Sequence, residues 1–134
     1  MSSVVSYLGN LRTESIHVSS NNRIVTDAPA DNNGKGEAFS PTDLVASSLS
    51  SCILTVIGIV SKKINYDLTN TKSSVRKIMG DNPRRIAEIL VKIEFSKSAD
   101  SKTKAIIEKA ALNCPVAKSL HPDIKQNISF IWPD

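Results

Sequence analysis

Cysteine and aromatic side chains are scarce in this sequence, with two cysteines and six aromatics among 134 residues. Two cysteines cannot build the dense disulfide framework of a small secreted scaffold. In a compartment that keeps thiols reduced they are either inert core residues or reactive ones. So few aromatics, with Lys and Arg scattered rather than gathered in a block, exclude the basic stripe interleaved with stacking platforms that nucleic-acid binding uses. The net charge of +4 then serves solubility. The N-terminus, Met1-Ser2-Ser3-Val4-Val5-Ser6-Tyr7, lacks the basic start and long apolar run of a secretory signal, so the protein is expected to stay in the cytoplasm. The most apolar stretch, residues 44–60, is broken by Ser47, Ser48, Ser50 and Ser51 and is short for a bilayer span. It is expected to be a core helix, with no membrane partner.

Other signatures are missing too. No Gly-x-Ser-x-Gly elbow is present and neither histidine neighbours a nucleophile signal. Gly34-Lys35-Gly36 has neither the length nor the following hydroxyl of a phosphate-cradling loop. His17 and His121 complete a Cys2His2 inventory with the two thiols, but no two of the four share a short ligand spacing. No metal or cofactor is expected.

What remains is an ordinary globular composition, 40% apolar and 22% charged, at a length that suits one domain over residues 1–134. Residues 1–26 alternate loosely between apolar and polar around a Ser19-Ser20-Asn21-Asn22 turn cluster, which predicts two or three short antiparallel strands. Residues 27–37 are rich in turn formers and read as a surface loop. A helix follows, with Ser40 as N-cap, Pro41 at the first helical position and Asp43 as a short capping-box acid. Lys62 and Lys63 suit its end, and its face is apolar almost all round, so something must surround it. Two strands over 68–79 and 86–95, an amphipathic helix over 101–112 and a period-two strand over 124–132 complete the pattern. The predicted class is α+β with an antiparallel sheet.

The two thiols occupy different settings. Cys52 lies about three turns into the long helix, too far along for the helix N-terminus to activate it. It is either a buried small hydrophobe or a thiol activated by another charged group. Cys114 precedes Pro115, which is well suited to begin a helix over 115–120. A cap position there favours an anion and predicts a lowered thiol pKa, the alternative again being a packed core thiol.

The segments Phe39-Ser-Pro-Thr-Asp-Leu-Val-Ala-Ser-Ser-Leu-Ser-Ser-Cys52 and Cys114-Pro-Val-Ala-Lys-Ser-Leu120 closely resemble the OsmC/Ohr family, the osmotically induced and organic hydroperoxide resistance proteins. Thr26-Asp-Ala-Pro29 and the Gly34-Lys-Gly loop resemble its OsmC-like branch. The resemblance implies an intertwined homodimer with an antiparallel sheet wrapped around the long central helix. It implies reduction of organic hydroperoxides, and less readily hydrogen peroxide, by Cys52 as attacking thiolate. Cys114 would resolve the sulfenic acid to a disulfide, and an external dithiol would reduce that disulfide. The family's helix-start glutamate falls on Thr42 here, so Asp43, one residue on, either substitutes for it or merely caps the helix. For the family's activating arginine, Arg12 has the better spacing and Arg23 is the second choice. Thr42 also keeps open a reading as a weakly active or non-enzymatic small-molecule-binding dimer with the same fold.

Overall fold

The computed structural model describes all 134 residues. They divide into two compact units, Met1–Val45 and Ala46–Asp134.

In the first unit, β1 (Ser3–Gly9), β2 (Arg12–His17) and β3 (Arg23–Asp27) form an antiparallel sheet in that order. This is the expected set of short strands. The β2–β3 turn is held by Ser20, whose hydroxyl lies 2.6 Å from His17 Nδ1 and accepts from the Asn22 amide at 3.2 Å. The β1–β2 turn takes positive φ at Gly9, Asn10 and Leu11 (89°, 55° and 62°), a conformation that suits glycine and asparagine but strains leucine. Two bonds hold Leu11 there: its amide donates to Tyr7 Oη at 3.2 Å, and its carbonyl accepts from the Ala28 amide at 3.0 Å.

The segment expected to be a surface loop differs at its first residue. Asp27 closes β3, directly opposite Arg12, and is buried. The rest is irregular apart from a 3-10 turn over Ala30–Asn32. At Gly34 any side chain would strike the Ala28 carbonyl, 1.8 Å from where a Cβ would stand.

Helix α1 (Pro41–Lys63) begins as read. Its capping box is reciprocal: Ser40 Oγ accepts from the Asp43 amide, and Asp43 Oδ2 from the Ser40 amide, both at 3.0 Å.

In the second unit, α1 buries Ala46, Leu49, Ile53 and Ile57, spaced three and four apart. They pack with Ile89, Val91, Ile93 and Phe95, with Ile107 and Ala111, and with Cys114. The sheet runs β4 (Lys72–Gly80), β5 (Arg85–Glu94), β6 (Lys125–Ile131). The antiparallel expectation holds for β4 and β5, but β6 pairs with β5 in parallel. The cause is the connection: α2 (Ser101–Ala111) and α3 (Pro115–Ser119) lie between the two strands and make the crossover that parallel strands need.

The all-round apolar helix is covered on one side. Val45, Ser48, Ser51, Thr55 and Ile59 lie on the opposite side and are exposed, Ile59 to 55%. By length and composition α1 is apolar enough to cross a membrane, and a third of its most apolar window is buried within the chain.

Candidate active site

The second unit brings both cysteines together. Cys52, on the central part of α1, is half-buried and packs against the core cluster. At about 100° per residue its direction falls among those of Val45, Ser48, Thr55 and Ile59, so it sits where the covered side gives way to the open one. Cys114 is the N-cap of α3, extended at φ −80° and ψ 148°, and its sulfur accepts from the Ala117 amide at 3.3 Å. Both are free thiols, and Cys52 is a near enough neighbour to oppose ionisation of Cys114.

The cap geometry predicted for Cys114 is present, but its expected electrostatic consequence is reversed. Burial pushes the Cys114 thiol up, the Ala117 amide pulls it down, and the neighbouring Cys52 thiol pushes it up again. The sulfur is fully covered, and loss of water around an anion outweighs the backbone amides of Ala117 and Val116 at a single-turn helix. Cys114 is therefore held as a protonated thiol against a more accessible one.

In the first unit, Arg12 and Asp43 each have a defined partner. Arg12 Nε donates to Asp27 Oδ1 at 2.7 Å and Nη2 to Oδ2 at 2.8 Å, a two-pronged pair. The Glu37 amide donates to Asp27 Oδ2 at 3.1 Å. The hydrogen bond from Arg12 holds the Asp27 carboxyl below the usual range, against the opposing pull of burial, and the same bond raises Arg12. Asp43 spends its carboxylate on the helix cap, and Thr42 Oγ1 lies 3.3 Å from the Ser40 hydroxyl. Arg23, the second choice, is exposed and meets Glu14 at 3.4 Å.

Asp27 is the residue that sequence reasoning missed. A signal existed, because a hairpin symmetrical about Ser19 and Ser20 places residue 12 opposite residue 27, and opposite charges so placed attract. The histidines behave as surface residues: His17 bonds Ser20, and His121 Nδ1 accepts from the Asp123 amide at 3.0 Å. No three His, Cys, Asp or Glu side chains are grouped so as to hold a metal ion.

A model of the OsmC-like protein family matches residues 34–129. Comparison with curated proteins gives no match. Among solved structures, a protein from Psychrobacter arcticus named for osmotic stress induction and detoxification response is 52% identical, with a TM-score of 0.94, covering 97% of this chain and 95% of that one. An organic hydroperoxide resistance protein OsmC from Legionella pneumophila shares the fold at a TM-score of 0.77 and 14% identity, over 98% of this chain and 97% of that one. A similarly named protein from Elizabethkingia anophelis gives 0.77 and 14% over 99% and 97%. With both cysteine motifs in place, an α+β fold shared with these proteins along nearly the whole chain, and the family match over most of it, the chain belongs to the OsmC-like family.

Proposed function

We propose that this protein is a cysteine-based peroxidase that reduces organic hydroperoxides. The observation that carries the reading is the thiol pair, a half-buried Cys52 beside a fully buried, protonated Cys114. The naming of similar structures for hydroperoxide resistance and for detoxification agrees with that chemistry.

In the proposed cycle the Cys52 thiolate attacks the terminal peroxide oxygen. An S–O bond forms as the O–O bond breaks, the alkoxide leaves and takes up a proton as the alcohol, and Cys52 is left as a sulfenic acid. The Cys114 thiol then displaces water from that acid to give the Cys52–Cys114 disulfide. An external dithiol returns both sulfurs to the reduced state through a mixed disulfide. Arg12 favours the thiolate of Cys52 as an electrostatic activator. Asp43 serves in this reading as the helix cap.

The working form is a homodimer in the cytoplasm. Val45 and Ile59 on the open side of α1 support it, since an apolar stripe on the element that carries Cys52 calls for a second copy. A reducing compartment is where a free thiol pair can be recycled.

The test is a titration of the reduced protein with cumene hydroperoxide and with hydrogen peroxide, following free thiols. The proposal expects rapid loss of two thiols per chain, no reaction in Cys52→Ser, and arrest at a sulfenic acid in Cys114→Ser. Oxidation no faster than that of a free thiol, and indifferent to which cysteine is removed, would exclude it. That result would favour a small-molecule-binding dimer, the reading that Thr42 in place of a helix-start carboxylate supports.

A further inference from the structure

The sheet of the second unit has two faces of different character. Ile89, Val91 and Ile93 of β5 are buried and pack into the core that the two thiols join. Side chains alternate along a strand, so Leu90 and Lys92 stand on the opposite face. The strand register sets two rows side by side there: Arg76, Leu90 and Asn127, then Ser74, Lys92 and Ser129. These side chains line a hollow of about 270 Å³.

Each of them brings a defined chemistry. Leu90, on the middle strand, is half-buried and supplies an apolar floor. Ser74, Asn127 and Ser129 are short and exposed, with hydroxyl and amide groups at the wall. The Arg76 guanidinium is exposed and has neither a hydrogen bond nor an ion pair within the chain, so its five N–H donors are all available. Lys92 meets Glu94 at 3.3 Å, and both are about half exposed. Such a pair is weak enough for the ammonium to turn to a better partner at little cost. Asn127 Nδ2 reaches Glu88 at 3.5 Å, the outer limit of a hydrogen bond.

The hollow is therefore rich in donors and in positive charge. A carboxylate, with one charge and two oxygens, would be satisfied by Arg76 alone. A phosphomonoester carries nearly two charges and three strong acceptor oxygens, which calls for a second cation and neutral donors beside the guanidinium fork. Its organic part would lie on Leu90. Glu88 and Glu94 occupy the rows on either side of the hollow, and Glu88 also stands 3.9 Å from Lys125. An extended polyanion or an anionic bilayer laid on this face would meet both acids, whereas a small ester fits between them.

We propose that this hollow binds a small soluble phosphomonoester. Arg76 forks onto the phosphate, Lys92 and Ser129 bond its remaining oxygens, and the organic group rests on Leu90. The site lies across the sheet from the thiols and does not depend on their chemistry.

The experiment is a calorimetric titration of the whole protein with phenyl phosphate at low ionic strength, beside inorganic phosphate, benzoate and vesicles containing phosphatidic acid. Saturable binding of a single phenyl phosphate per chain is expected, with inorganic phosphate and benzoate both held more weakly. Arg76→Ala removes an exposed side chain outside the core and should weaken binding by roughly tenfold or more. Arg76→Lys keeps the charge and loses the fork, so a smaller loss is expected; it carries the test should Arg76→Ala fold poorly. Absence of saturable binding, or the same affinity in the native protein and both variants, would overturn the site. Benzoate bound as tightly as phenyl phosphate would overturn the phosphate, and inorganic phosphate bound as tightly would overturn the ester. Binding to the vesicles without binding to phenyl phosphate would overturn the proposal in favour of a membrane surface.

Discussion

At Cys114, opposing influences act on one sulfur. The Ala117 amide favours the anion while burial opposes it, and burial prevails. Native-state alkylation should therefore reach Cys52 well before Cys114, as mass spectrometry of partly modified protein would reveal. The same balance sets a pH dependence. A thiol that titrates higher in the folded than in the unfolded chain adds stability that is complete below the unfolded value, about 8.5. That stability is lost as pH rises toward the folded value. Urea midpoints should accordingly fall on the alkaline side of about pH 8.5 more steeply in the native sequence than in Cys114→Ser. The cap position was legible, since Cys-Pro marks a helix start. The burial stood only as the alternative, a packed core thiol, because the core residues it joins, among them Ile107, Ala111 and the β5 side chains, come from other elements of the chain. Asp27 was misread for a related reason: its own neighbours are loop formers, and its partner lies across a turn.

Helix α1 was the most legible element, because Ser40-Pro41 and Lys62-Lys63 bracket it with start and stop chemistry. Its stability should respond to that chemistry. Ser40→Ala removes the acceptor for the Asp43 amide and should cost about 1 kcal/mol in urea denaturation. Ile53→Ala empties a position with 1% exposure and should cost about 2–5 kcal/mol. The direction of β6 was hidden for a definite reason: a period-two pattern in residues such as Ile128 and Phe130 reads the same whichever way the strand runs. The two helices joining β5 to β6 were each visible, and taken together they already require a crossover. The alternation located the strand, and the connection decided its pairing.

For the whole molecule, the uncovered side of α1 is the feature the sequence hinted at and a single chain leaves open. Ile59→Glu places a charge in that stripe without touching the core residues Ile53 and Ile57. In sedimentation experiments the native protein should run at twice its 14.5 kDa chain mass, and the Ile59→Glu variant at the chain mass itself. Peroxide reduction should fall with it, because Cys52 shares that side of the helix. The helix that carries Cys52 thus also carries the surface a second copy would cover, which in the proposed peroxidase ties chemistry to mass action. Turnover per chain should drop on dilution through the dissociation range, so that a rise in expression would increase detoxifying capacity more than in proportion to the amount of protein made.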